Sequence, residues 1–122
     1  IYVTLTDMNS KSQREILEEL FVVLKDRKVS PSDNSYVASL YKGGNNKIND
    51  KILEEAEEYV QAIKSNEKGS IVHEAADLWF HTLVSLALND LTASDILEEL
   101  ERRFGQSGIE EKASREKWGK IC

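Results

Sequence analysis

Ser70-Ile71-Val72-His73-Glu74-Ala75-Ala76-Asp77-Leu78-Trp79-Phe80-His81-Thr82-Leu83-Val84-Ser85-Leu86-Ala87-Leu88-Asn89 is apolar at a helical rather than a strand period. Ile71, Val72, Ala76, Leu78, Trp79, Phe80, Leu83, Val84, Leu86 and Leu88 cover every side of such a helix except one. On that side Glu74, Asp77, His81 and Ser85 stand at i, i+3, i+7 and i+11. At about 100° per residue this spacing makes a single narrow polar stripe. A helix with so little polar surface belongs at the centre of a bundle. Its stripe must face polar partners or a site, because an unpaired buried carboxylate is very costly.

The segment before it, residues 47–64, sets Ile48, Ile52, Ala56, Tyr59, Val60 and Ile63 on one stripe and reads as an amphipathic helix. It carries Glu54-Glu55-Ala56-Glu57-Glu58, which ends fifteen residues ahead of Glu74. Glu55 and Glu58 are also i, i+3 neighbours, and Glu55 lies at the margin of the apolar stripe, able to turn toward a neighbouring helix. Two antiparallel helices joined near residues 66–69 would let Glu55 and Glu58 meet Glu74 and Asp77. Four carboxylates in one pocket raise one another's pKa and call for a cation. Oxygen donors, without cysteine and without a His pair at ligand spacing, point to Mg2+, with Mn2+ as a substitute, rather than Zn2+. Such an ion bridges phosphate oxygens and acidifies a bound water, as phosphoanhydride hydrolysis requires.

The competing reading pairs Glu74 and Asp77 with lysine or arginine in a buried salt bridge, inside a helical dimerisation module without catalysis. His81 reads as a core histidine. Glu57, Glu98 and Glu99 read as solvated surface, and Trp79 and Trp118 as core or interface residues.

Elsewhere the punctuation is helical. Ser12 with Glu15 forms a capping box that opens a helix to about Arg27, and a breaker cluster around Pro31 ends it. A short helix over residues 35–41 stops at Gly43-Gly44-Asn45-Asn46. Ser70 is the expected cap of the central helix, and Thr92 of another over residues 93–104, closed by Gly105. Ser107 with Glu110 caps a final short helix. Only residues 1–6 alternate like a strand, and residues 1–11 are set apart as an N-terminal tag or disordered segment. Residues 12–122 form one all-α domain, a helical bundle.

The net charge of −6 argues against nucleic acid and anionic membranes as partners. His73, Glu74, Asp77 and His81 interrupt the longest apolar run, so no membrane span is expected. The only cysteine is Cys122, which excludes an intramolecular disulfide and fits a cytoplasmic protein. Phosphates would need local cations. Lys42, Lys47 and Lys51 flank the acidic helix, and Arg102, Arg103, Lys112 and Arg115 cluster late.

Glu54-Glu55-x-x-Glu58 followed by Glu74-x-x-Asp77 resembles the EExxE…ExxD signature of all-α nucleoside triphosphate pyrophosphohydrolases, which include MazG-type enzymes. The flanks are similar to one family among them, the phosphoribosyl-ATP pyrophosphatases of histidine biosynthesis. They are Ser35-Tyr36-Val37-Ala38, Lys47-Ile48, Lys51-Ile52-Leu53-Glu54-Glu55-Ala56, Glu74-Ala75-Ala76-Asp77-Leu78 and Ser107-Gly108-Ile109-Glu110-Glu111-Lys112-Ala113-Ser114-Arg115. The resemblance spans residues 16–115 and implies hydrolysis of 1-(5-phosphoribosyl)-ATP to 1-(5-phosphoribosyl)-AMP and pyrophosphate. By position it implies that Glu55, Glu58, Glu74 and Asp77 hold Mg2+ and that Glu54 orients or deprotonates the water. Ser35, Tyr36, Lys42, Lys47, Lys51, Arg102, Arg103, Lys112 and Arg115 are then the expected substrate-binding residues. The chain departs from the family pattern at Leu53, where glycine often precedes the paired glutamates. The resemblance also implies a homodimer. The central helix agrees, since so apolar a helix needs more cover than a short chain provides. The alternative activity is a MazG-like house-cleaning hydrolysis of non-standard nucleoside triphosphates.

Overall fold

The computed structural model describes residues 12–29, 35–105, 108–109 and 112–113. Four expectations lie outside the described residues: the N-terminal segment, the Pro31 loop, the Ser107 capping box, and the placement of Arg115 and Trp118. Among the described residues the elements are four α-helices: α1 (Gln13–Val29), α2 (Tyr36–Ser65), α3 (Lys68–Leu88) and α4 (Ala93–Arg102). The all-α expectation holds.

Ser12 Oγ accepts the Glu15 backbone N–H at 3.2 Å, which starts α1 with one half of the expected capping box. Ser35 Oγ does the same for Ala38 at 3.2 Å and starts α2. The stop expected over residues 43–46 contracts to one residue. Gly44 alone leaves helical geometry, with φ 71° and ψ −167°, a region open essentially to glycine. Its effect on direction is large. Tyr36 precedes Lys51 by fifteen residues, roughly 22 Å along a straight helix. Yet Lys51 and Glu55 act on the charge of the Tyr36 hydroxyl, and Lys47 Nζ donates to Ser39 O at 3.4 Å. The Gly44 turn therefore folds the first arm of α2 back beside the acidic segment. A Cβ added at Gly44 would meet nothing within 4 Å, so the penalty for a side chain is conformational. Gly44→Ala is expected to cost about 1–3 kcal/mol by urea unfolding. A change below about 0.5 kcal/mol would mean that the turn does not depend on glycine.

The α2–α3 connection is shorter than the sequence implied. Asn66 adopts the left-handed conformation, φ 58°, and its N–H closes on Ile63 O. Asparagine tolerates that region, and one such residue reverses the chain. Helix α3 accordingly begins at Lys68, with Glu67 at the cap position making no side-chain cap bond. Ser70, the expected cap, is inside the helix. At α4 the expected cap is present in full: Asp95 N–H donates to Thr92 Oγ1 at 3.1 Å, and Thr92 N–H to Asp95 Oδ2 at 2.9 Å. The helix ends at Arg102 rather than Phe104, and a turn follows that carries Gly105 at φ 81°.

The core joins Phe21 and Leu24 of α1, Val37, Leu40 and Ile48 of α2, Phe80, Leu83, Val84 and Ala87 of α3, and Ala93. At the C-terminal end of α3, Lys28 Nζ donates to Ala87 O and Leu88 O and pairs with Asp90 at 2.7 Å. A cation there complements the helix dipole. The centrality expected of α3 is only half met within one chain. Val72 is 69% exposed and Trp79 64%, because the other helices do not cover that face.

Candidate active site

Asn66 sends α3 back along α2, and Asn89 Nδ2 donating to Asn45 Oδ1 at 2.9 Å marks the far end of the antiparallel pair. That register brings the two carboxylate pairs together. One oxygen each from Glu55, Glu58 and Glu74 lies within 4.8 Å of the others, and so does one ligand atom each from His73, Glu74 and Asp77. Glu74 belongs to both groups. The four carboxylates picked out by helical spacing thus converge, with His73 as an added donor. Its Nε2 lies 3.2 Å from Asp77 Oδ2. The i, i+4 spacing of His73 and Asp77 was visible in the sequence, but a search for a histidine pair passes over it.

Glu55 is 6% exposed, and Oε2 of Glu55 and of Glu74 are buried with no hydrogen-bond partner among the described residues. Buried polar atoms are seldom left so. Burial pushes Glu55 up to about 7, helped by a hydrogen bond and charge from Glu58 and by the charge of Asp77, while Lys51 pulls it back. Burial first, then Glu58, also raises Glu74. The lysine or arginine of the salt-bridge reading does not reach Glu74 or Asp77 among the described residues. Lys51 pairs instead with Glu54 at 3.3 Å and approaches Glu55 at 3.9 Å. Carboxylate oxygens with two unpartnered atoms and one imidazole nearby suit a hard divalent cation.

Beside them opens a cleft of about 540 Å3, lined by Glu54, Glu57, Glu58, Gln61, Ser70 and Glu74 among others. That volume accommodates a nucleotide-sized ligand. Glu54 is exposed at this wall and held by Lys51. Glu57, read as solvated, is exposed but borders the cleft as well. Leu53, the departure from the family pattern, is 69% exposed and presses on nothing in the core.

The expected substrate-binding residues divide. Tyr36 stands beside the acidic cluster, where burial chiefly raises its pKa against the opposing charge of Lys51. Ser35 is occupied as a helix cap. Lys42 is exposed, and Lys47 reaches the Ser39 carbonyl across the Gly44 turn. Arg102 and Arg103 do not line this chain's cleft. They lie on or just past α4, which packs against α1, and both pair with Glu99, at 2.6 and 3.7 Å. Glu99 is therefore ion-paired rather than merely solvated. Lys112 is exposed. His81 is a buried core histidine, as read, with a partner the sequence did not show: Tyr36.

An all-helical domain whose two antiparallel helices present paired carboxylates across a cleft is of the all-α pyrophosphohydrolase class. Residues 17–104 match the sequence model of the phosphoribosyl-ATP pyrophosphohydrolase family, and the chain belongs to that family. It is similar to the phosphoribosyl-ATP pyrophosphatase of Methylococcus capsulatus, 54% identical over 101 residues that cover 83% of this chain and 96% of that protein. The phosphoribosyl-ATP pyrophosphatase of Geobacter metallireducens is 50% identical over 103 residues, 84% of this chain and 94% of that protein. A longer relative, the histidine biosynthesis bifunctional protein HisIE of Helicobacter hepaticus, is 48% identical over 100 residues, 82% of this chain and 43% of its own length.

Proposed function

We propose that this chain hydrolyses 1-(5-phosphoribosyl)-ATP to 1-(5-phosphoribosyl)-AMP and pyrophosphate, the second step of histidine biosynthesis, with Mg2+ as cofactor. The observation that carries the reading is the convergence of Glu55, Glu58 and Glu74 beside an open cleft, with one buried oxygen each of Glu55 and Glu74 unpartnered among the described residues. Relatives named phosphoribosyl-ATP pyrophosphatase support the substrate. Glu55, Glu58, Glu74 and Asp77 would hold Mg2+, for which Mn2+ can substitute. The cation, when bound, neutralises charge on phosphate oxygens and lowers the pKa of water. Glu54 stands at the rim to orient or deprotonate the attacking water, and its pairing with Lys51 fixes it there. Lys51, with Lys42 and Lys47 on either side of the Gly44 turn, supplies positive charge for the phosphates. Ser35 serves by anchoring the helix start that carries Tyr36. The test is pyrophosphate release from phosphoribosyl-ATP with added Mg2+. No release at micromolar enzyme, or faster turnover of free deoxynucleoside triphosphates, would sink the reading.

The functional unit is a homodimer in this proposal. Val72 and Trp79 on α3, with Leu53, Val60 and Ile63 on α2, leave apolar surface exposed that a second copy would cover. Arg102, Arg103, Lys112 and Arg115 then take part in phosphate binding across that interface. Trp79→Asp is expected to convert a dimer into a monomer by light scattering, and a monomeric parent protein would remove the proposal. The reaction is placed in the cytoplasm, whose reducing conditions suit a chain with the single cysteine Cys122. No helix among the described residues is long and apolar enough to cross a membrane.

A further inference from the structure

His81 is a buried polar residue to which the hydrolysis described above gives no part. It is 5% exposed, with Nδ1 2.8 Å from the backbone oxygen of Asp77 and Nε2 2.7 Å from Tyr36 Oη. A carbonyl oxygen can only accept, so the hydrogen on this edge of the ring sits on Nδ1. In that tautomer Nε2 offers a lone pair, and the tyrosine hydroxyl donates to it. Tyr36 and Phe80 meet the imidazole edge-on, at interplanar angles of 84° and 89°, and hold it in this orientation.

Tyr36 has one hydroxyl hydrogen, and His81 takes it. Tyr36 is nonetheless 41% exposed, and Lys51, Glu54, Glu55 and Asp77 are close enough to act on its hydroxyl. Lone pairs are then all that Tyr36 Oη offers to a group approaching the acidic cluster. A phosphate oxygen, itself an acceptor, finds no hydrogen bond there, whereas a hydroxyl or amine does. We propose that His81 is a positioning residue that makes Tyr36 Oη an acceptor reserved for a hydrogen-bond donor on the nucleoside part of the substrate. Phosphates are thereby left to Lys51 and the carboxylate cluster, and the substrate binds in one direction. The Gly44 turn is what brings Tyr36 within reach of α3. The inference rests on the proposed pyrophosphohydrolase reading of the cleft.

The experiment compares steady-state kinetics of the parent, Tyr36→Phe, His81→Phe, His81→Gln and the double variant Tyr36→Phe/His81→Phe. The substrates are phosphoribosyl-ATP, its analogue with a 2′-deoxyribose in the nucleoside, and its analogue with a 6-oxo group in place of the adenine amine. Tyr36→Phe and His81→Phe are each expected to raise KM about tenfold with kcat little changed, the loss of one hydrogen bond. The double variant should lose no more than either single one. His81→Gln, whose Oε1 can accept where Nε2 did, should recover most of the loss. The effect of Tyr36→Phe should vanish on whichever analogue lacks the donor, which tells the ribose hydroxyl from the amine. Additive losses, equal losses on all three substrates, or a glutamine no better than phenylalanine would overturn the proposal. Tyr36→Phe removes one oxygen from a part-exposed ring, so it keeps the test open if the His81 variants do not fold. Nitrogen NMR shifts of the His81 ring read the tautomer without turnover. A proton on Nε2 and none on Nδ1 would overturn the inference even in an inactive protein, whereas inactivity of the parent alone counts against the functional reading.

Discussion

Glu55→Gln is expected to lower Mg2+-dependent pyrophosphate release by about 10²–10³-fold, the scale set by losing one preorganised electrostatic contact in a water-poor site. Glu74→Gln should do the same. These two residues carry the buried oxygens that find no partner among the described residues, and each sits in a cluster whose ligand atoms lie within 4.8 Å. An amide keeps the shape but presents a neutral oxygen, a far weaker ligand for a hard cation. The same substitutions should stabilise the protein in EDTA, because each removes a carboxylate held beside others. Lower activity together with a higher melting temperature separates a ligand from a structural residue, whose loss would depress both. Glu57→Gln, exposed at the cleft wall, should change turnover no more than a few-fold. The assignment fails if Glu55→Gln keeps activity within tenfold of the parent, or if its melting temperature in EDTA falls.

Those carboxylates were legible in the sequence because what selects them is local. Helical period puts Glu55 beside Glu58 and Glu74 beside Asp77, and a short apolar-flanked turn forces the two helices to run antiparallel. Glu57 falls on another face by the same arithmetic, whereas Glu54, an i, i+4 neighbour of Glu58, is not set apart by it. What escaped is directional or long-range. Gly43-Gly44 was readable as a break, but composition does not encode that Gly44 takes φ 71° and folds an arm back. Without that turn nothing links Tyr36 to His81, forty-five residues later. Arg102 and Arg103 looked like clamps because they are cations at the end of an amphipathic helix. Which way α4 packs is decided by Ala93 entering the core beside α1, and the arginines are not among the residues that line this chain's cleft. The exposed Trp79 is a different case. An all-round apolar helix reads as needing more cover than one chain gives, and Val72 and Trp79 of α3 stand exposed in the structure.

Glu55 also makes the stability of the metal-free protein depend on pH in a direction unusual for a carboxylate. Folded, it titrates at about 7, against an ordinary value of 4.5. Between those values the folded chain keeps a proton that the unfolded chain has released. Stability from this group is therefore greatest below about pH 4.5, declines as pH rises, and levels off above about 7. Glu74, also raised, works in the same direction. Asp90 and Glu99, both lowered by their cationic partners, work in the opposite one, but they lose their stabilising effect only in acid, below the ordinary carboxylate range. Urea unfolding in EDTA from pH 5 to 8, compared between the parent and Glu55→Gln, thus reads the acidic cluster. Stability should fall more steeply across this window for the parent than for Glu55→Gln, in which Glu74 remains. Added Mg2+ should reverse the slope, since a cation needs the deprotonated ligand and its stabilising effect grows as the proton leaves. A level parent profile in EDTA would mean that Glu55 is not held among carboxylates. A falling profile that Mg2+ leaves unchanged would mean that the cluster is acidic without being a metal site.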